Sequence, residues 1–225
     1  MELNDGTLQV LKNFSGINQN ILIKAGNTIK TISEARNVLA TAVVEEEFPN
    51  TFGIYDLNEF IGVLGLVDTP RLKFDEDFVT VGDSTGRSKV KYFFSAEETL
   101  TTPQKDINMP DAEVTFTLTN DTLNKIKRAA SALGHNEVSI TGKDGVLSLS
   151  VVDSQNSTSN AFSIDIDGEF NSDATFNFIL NISNLKMLPG DYEVQISSKL
   201  ITQFKNKEVN VTYWIALEKA STFGV

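Results

Sequence analysis

The 225-residue sequence predicts an α+β fold built twice over. A helix signal, a run of strands, a second helix signal and further strands occur in that order, and then the whole series occurs again. Between the helix signals apolar and polar residues alternate, as in strands with one buried face and one wet face. Near the middle, residues 96–111 have no periodicity and carry Pro103 and Pro110, whose missing N–H groups interrupt regular structure.

The first helix is expected over residues 5–17, with Leu8, Val10, Leu11 and Phe14 on one side. Its counterpart is expected over 120–133, where Leu123, Ile126, Ala129, Ala130 and Leu133 share a face. Both begin at clusters of Asn, Asp and Thr, side chains that accept hydrogen bonds from the free N–H groups of a first helical turn. The second helix of the first repeat is expected over 56–67, with Leu57, Phe60, Ile61 and Leu64 inward. Its counterpart, over 181–188, is shorter because Pro189 and Gly190 stop it. Extended stretches follow at 71–74 and 192–197. Leu8 pairs with Leu123 and Leu57 with Ile182, so the repeat offset drifts, and a polar loop at 153–160 absorbs the difference.

Alternation is clearest in the second half. Phe162, Ile164 and Ile166 alternate with Ser163, Asp165 and Asp167; Tyr192, Val194 and Ile196 with Glu193 and Gln195; Val209, Val211, Tyr213 and Ile215 with Asn210, Thr212 and Trp214. Lys143-Asp144-Gly145 lies between two such runs and predicts a tight hairpin, since Asp-Gly readily takes the positive φ of that turn. The sheets are therefore expected to be mainly antiparallel. An amino-terminal domain over 1–108, including the connector, and a carboxy-terminal domain over 109–225 follow.

A hydrophobic content of 40 % is enough for a real core. The absence of cysteine excludes disulfides and thiolate metal sites. Met1-Glu2-Leu3-Asn4-Asp5 has no basic and apolar leader character, and no apolar run is long enough to cross a membrane. A soluble, unprocessed cytoplasmic chain with no membrane partner is the expectation.

Charge and its placement point in different directions. A net charge of −11, from 30 acids and 19 bases, predicts repulsion from nucleic acid. Yet helical geometry puts Arg128 nearly opposite the apolar face of its helix, with Lys125 and Lys127 on the flanks. Lys12 stands among Gln9, Asn13 and Gly16 on the first helix, and Lys186 falls on the short fourth one. The acid runs Glu45-Glu46-Glu47 and Asp75-Glu76-Asp77 fall instead at strand ends or turns. On one helix alone such lysines are solvation. Three helices of one duplicated architecture suggest a basic surface on an acidic body, suited to phosphate contacts that fix position without reading sequence.

No catalytic constellation emerges. His135, the only histidine, follows the helix-ending Gly134, where a capping or surface role fits, and no second histidine supports a metal site. Residues 82–88, Gly82-Asp83-Ser84-Thr85-Gly86-Arg87-Ser88, are one residue short of a phosphate loop and lack its lysine. Asp165-Ile166-Asp167-Gly168 lacks the later ligands and closing Glu of a calcium loop. The expectation is a protein that is not an enzyme and uses no cofactor or metal.

Three blocks carry a family resemblance: Leu11-Lys12-Asn13-Phe14 with Ile17-Asn18; Tyr55-Asp56-Leu57-Asn58 with Phe60, Leu64, Leu66 and Val67; and Phe176-Asn177-Phe178 with Asn181, Lys186, Pro189-Gly190 and Tyr192. In order and spacing they resemble the sliding clamps of T-even-type bacteriophages along nearly the whole chain. That resemblance implies a DNA-clamp fold and a homotrimeric ring, with two domains per subunit, helices lining the hole and antiparallel sheets outside. It implies a processivity factor in DNA replication, acting in the host cytoplasm on double-stranded DNA of any sequence. Its implied partners are the replicative DNA polymerase, held through that enzyme's carboxy-terminal peptide, an ATP-dependent clamp loader, and late-transcription factors.

By position the resemblance makes Lys12, Lys125, Lys127, Arg128 and Lys186 the DNA-facing residues. It places the partner pocket beside the connector, with Ile107 and Met109 as candidates. It suggests a subunit joint at Tyr92-Phe93-Phe94 and the 162–166 strand, hence Tyr92, Phe93, Phe162 and Ile164. The second helix departs from a basic lining, since Asn58, Glu59, Gly62 and Gly65 form its polar face, so its DNA contact would be weak or water-mediated. The competing reading is a duplicated β-rich virion structural or ligand-binding protein, its helices core packing and its lysines solvation. Oligomeric state and the salt dependence of DNA binding separate the two.

Overall fold

A computed structural model describes residues 1–156 and 158–224. Of the polar loop expected at 153–160, residue 157 lies outside the described residues. The chain forms two compact units, Met1–Asp106 and Ile107–Val225, dividing just ahead of the boundary read from the sequence after 108.

The first unit runs α1 (Asp5–Ser15), β1 (Ile21–Ile23), β2 (Gly26–Ile32), β3 (Val38–Phe48), β4 (Phe52–Ile54), α2 (Leu57–Leu64), β5 (Arg71–Phe74), β6 (Phe78–Gly82) and β7 (Lys89–Phe93). Asn4 caps α1, its side chain accepting from the Thr7 N–H at 2.7 Å. Glu46 of β3 accepts from the Asn4 N–H at 2.5 Å and from the Thr7 hydroxyl, placing a carboxylate at the positive end of the helix. Val10, Leu11 and Phe14 form the buried face of α1. Asp56 caps α2 by accepting from the Glu59 N–H at 3.0 Å, and that bond holds the Asp56 carboxyl below its ordinary pKa. Leu57, Phe60 and Leu64 are buried beneath α2. All pairings are antiparallel: β1 with β4, β2 with β3, and the meander β5-β6-β7.

The second unit contains β8 (Val114–Leu118), α3 (Asn120–Leu133), β9 (Glu137–Lys143), β10 (Val146–Val152), β11 (Phe162–Ile166), β12 (Gly168–Phe170), β13 (Thr175–Asn181), β14 (Tyr192–Ser197), β15 (Ile201–Asn206), β16 (Val211–Ala216) and β17 (Thr222–Gly224). One antiparallel set has the order β11-β10-β9-β13-β17 and another the order β12-β8-β14-β15-β16. Side chains from both sets and from α3, among them Leu123, Ile126, Ile140, Leu180, Val194 and Phe204, meet around a void of only ≈ 20 Å³. The β9–β10 hairpin turns through Asp144 and Gly145, both at positive φ (52° and 78°), as its Asp-Gly sequence predicts. Gly142 lies opposite Phe176, where a Cβ would stand 2.2 Å from the Phe176 ring, so the bare backbone is what lets that ring lie across the sheet.

The repeat read as a pattern in sequence reappears as a repeat of pairing. Before the first helix of each unit, the chain pairs with the strand that follows the second helix position: Glu2 bridges to Arg71, and β8 pairs with β14. The strand after the first helix pairs with the strand before the second position, β1 with β4 and β9 with β13. A three-stranded meander closes each series.

One expected element is absent. The helix predicted over 181–188 is a single 3₁₀ turn, Ile182–Asn184. The Asn181 side chain caps it by accepting from the Ser183 N–H at 3.0 Å, but the chain leaves helical geometry at Leu185 (φ -79°, ψ 46°) before a second turn can close. Pro189 disfavours helical geometry at Leu188, and two tyrosines take over the backbone groups there. The Leu188 N–H donates to the Tyr213 hydroxyl at 3.1 Å, and the Tyr192 hydroxyl donates to the Leu188 carbonyl at 2.5 Å. Helices α1 and α2 also end earlier than periodicity suggested, at Ser15 and Leu64, each followed by a glycine, while α3 spans the expected 120–133.

Candidate nucleic-acid interface

Helix α3 is the most basic of the three helices. Thr119 caps it, accepting from the Thr122 N–H at 3.2 Å, and Gly134 ends it in the left-handed conformation at φ 71°. With Leu123, Ile126 and Ala130 buried, helical geometry leaves Asp121, Asn124, Lys125, Arg128 and Ser131 exposed and Lys127 half-buried on the flank. The Lys125 ammonium lies 2.7 Å from the Asp121 carboxylate one turn back. Arg128 Nε reaches only its own helix, at 3.4 Å from the Asn124 carbonyl. Burial of the Lys127 stem holds its ammonium below the usual lysine pKa. A shallow concavity of ≈ 500 Å³ is lined by Asp121, Asn124, Lys127, Arg128 and Ser131.

A second concavity of ≈ 380 Å³ shares Lys127 and Ser131 and continues past Gly134 to His135, Asn136 and Ile182. The 3₁₀ turn thus flanks the carboxy-terminal half of α3, and exposed Lys186 follows it in chain without regular structure rather than on the helix expected there. The His135 ring lies against the main chain, with Nε2 2.7 Å from the Asn160 carbonyl. In the first unit, Lys12 is exposed in the last turn of α1 and Asp5 in its first. Helix α2 exposes Asn58, Glu59 and Gly62 and no base.

The four residues expected at a subunit joint fall on two edge strands. Among the described residues β7 pairs only with β6, and β11 only with β10. Phe93 is 64 % exposed at the end of β7. Tyr92, by contrast, turns toward α2: its ring meets Phe60 edge-on at 5.1 Å, and its hydroxyl donates to the Asp56 carbonyl at 3.2 Å. Burial pushes its pKa up to about 12. Phe162 and Ile164 are half-buried on β11, opposite Val151 and Leu149. The two edges carry opposite charge, Lys89 and Lys91 on β7 and Asp165 and Asp167 along β11.

Ile107 and Met109 are half-buried in the connector, which after a 3₁₀ turn at Glu97–Thr99 has no helix or strand up to β8. A cavity that periodicity did not reveal lies beside the earlier part of the connector. It measures ≈ 520 Å³ and is lined by residues that include Leu22, Lys24, Lys30, Pro103 and Lys105. Lys30 Nζ sits 2.5 Å from Asp106, and its bond lowers the Asp106 pKa. Among the described residues, no cluster of His, Asp and Glu could hold a metal ion, and no helix is long and apolar enough to cross a membrane.

Two antiparallel units with three helices define the clamp fold. Solved structures with this architecture include the Proliferating Cellular Nuclear Antigen from Entamoeba histolytica, at a TM-score of 0.67 and 15 % identity over 94 % of each chain. The PCNA2–PCNA3 complex from Sulfolobus tokodaii matches at 0.65, with 15 % identity over 95 % of this chain and 96 % of that one. Residues 4–100 match the family described as DNA polymerase processivity factor, and residues 115–219 match the gp45 sliding clamp, C terminal. The sliding clamp of Vibrio phage KVP40 is 34 % identical over 97 % of this chain and 99 % of its own. Those of Escherichia phage RB69 and Enterobacteria phage T4 are 31 % and 30 % identical over 99 % of both chains. The chain belongs to the sliding clamps of T-even-type bacteriophages, DNA polymerase processivity factors.

Proposed function

We propose that three copies of this chain close into a ring around duplex DNA and, without catalysing any reaction, tether the replicative DNA polymerase during synthesis in the host cytoplasm. The observation that carries the ring is the pair of free strand edges of opposite charge. An exposed edge with apolar side chains invites pairing, and a head-to-tail contact between two different edges closes into a ring when the rotation permits. In this reading the β7 edge of one copy pairs with the β11 edge of the next. Phe93 packs on Phe162 and Ile164, and Lys89 and Lys91 face Asp165 and Asp167. Tyr92 acts from behind, holding β7 to α2.

Lys12, Lys125, Lys127, Arg128 and Lys186 then face the phosphates, giving attraction inside the ring while the acidic body repels DNA elsewhere. The polymerase's carboxy-terminal peptide docks along the connector, where Ile107 and Met109 offer apolar contacts and the adjoining cavity offers volume. A clamp-loading ATPase opens the ring, and late-transcription factors use the same connector face.

The experiment is retention on DNA after loading by the cognate loader. A ring stays on a nicked circle through gel filtration at high salt and is lost once the circle is cut. Equal retention on cut and uncut DNA would instead favour an ordinary surface binder.

A further inference from the structure

The exposed faces of the three helices differ in charge. On α1 the charged residues are Asp5 and Lys12, which cancel. On α2 the only charge is that of Glu59, an acid; exposed Asn58 and Tyr55 offer neutral donors there, but no base accompanies them. On α3 three bases stand against Asp121, which already holds Lys125 at 2.7 Å. Lys127 and Arg128 remain, and Asn124 and Ser131 stand one turn to either side on the same stripe, adding an amide and a hydroxyl donor. These four side chains line one concavity.

We infer that the hold on DNA is concentrated on one helix per chain, α3, through Asn124, Lys127, Arg128 and Ser131, while α2 turns phosphate away. The inference rests on the DNA-encircling reading above and deepens it: a ring of six similar domains would grip the duplex with threefold periodicity. Burial makes the charge on Lys127 costly in the free protein, and a phosphate oxygen offsets that cost, so the side chain is poised for an anion. Lys125 contributes less than its exposure suggests, because binding phosphate means leaving Asp121. Glu59, at the exposed start of α2, repels a phosphate that the α2 dipole alone would attract.

The test is an NMR titration of the intact protein with a short linear duplex at low salt, where weak contacts register without loading. Amide shifts are expected over residues 124–131 and not over 57–64. Neutralising Lys127→Gln with Arg128→Gln should weaken the interaction about tenfold and flatten its salt dependence, each lost phosphate contact removing about 0.9 from the slope of log affinity against log salt. Asn124→Ala with Ser131→Ala should weaken it about threefold with the slope unchanged, and Lys12→Gln less than about twofold. Glutamine keeps the helix, and circular dichroism confirms folding. Shifts of equal size on α2 and α3, or equal losses from Lys12→Gln and the α3 pair, would overturn the asymmetry while leaving the clamp reading intact. Absence of any salt-sensitive shift on the three helices would overturn both.

Discussion

Helix α2 and the segment 182–188 occupy the same place in the two repeats, yet one is a two-turn helix and the other a single 3₁₀ turn. Both begin well, with Asp56 and Asn181 each capping the first turn. What differs is the distance to the next proline and the company found on the sheet. After Asp56 the first proline is Pro70, and α2 has room to close its hydrogen bonds and bury Leu57, Phe60 and Leu64. After Asn181 the chain meets Pro189, and the sheet supplies two buried tyrosine hydroxyls that satisfy Leu188 directly. Leu185 and Met187 are buried there without a helix. Equivalent positions in a duplicated fold thus reach the same end, apolar residues covered and backbone groups satisfied, by different means.

The comparison breaks first at Phe60, which is 2 % exposed and supports Tyr92. Phe60→Ala should cost about 3–5 kcal/mol. The denaturation midpoint should fall and amide exchange accelerate over 57–64, with the second unit's amides little changed. The mirror experiment is Tyr192→Phe with Tyr213→Phe, which removes both hydroxyl contacts to Leu188 and should cost about 2 kcal/mol in all. Exchange at the Leu188 amide should rise while α2 stays protected.

The same pair makes the second unit the more alkali-sensitive, since two tyrosines are raised there beside Tyr92 in the first. Burial raises Tyr192 to about 12 and Tyr213 further, whereas unfolded tyrosines ionise near 10. The folded state therefore holds protons that the unfolded state releases. This contribution is complete below pH about 10 and is lost as pH rises toward the folded values. Stability should decline across that window, and less so in the double phenylalanine variant, as followed by phenolate absorbance and chemical denaturation. The smallest expected effect is that of Thr119→Ala, which removes the α3 cap for about 1 kcal/mol and should lower the thermal midpoint by a few degrees.

How far the sequence could be read depends on whether the determining contacts were local. The 3.6-residue spacing of Leu123, Ile126 and Ala130 placed α3 and its basic face, because a helix fixes its own directions. Asp144-Gly145 placed a hairpin, because two residues decide the turn. The 182–188 segment carries the same spacing signal, but its outcome is set by Tyr192 and by Tyr213, 25 positions beyond Leu188. The connector cavity likewise unites Lys24 and Lys30 with Lys105, a juxtaposition that exists only after folding. At the candidate DNA face, the bases were legible as a stripe. That Asp121 engages Lys125 was implicit in their four-residue spacing, while the half-burial of Lys127 required the packed unit. Tyr92 and Phe93 show the same limit on the β7 edge, since alternation set them on opposite faces but not which face a neighbouring element would cover.

The ring is the central claim, and absolute mass by light scattering over a protein dilution series tests it most directly. With 24.7 kDa as the unit, the expected result is a trimer that dissociates only on dilution and that Phe93→Asp converts to monomer. A monomer at every concentration would contradict the account, because both edges would then stand unpaired and no ring would close around DNA.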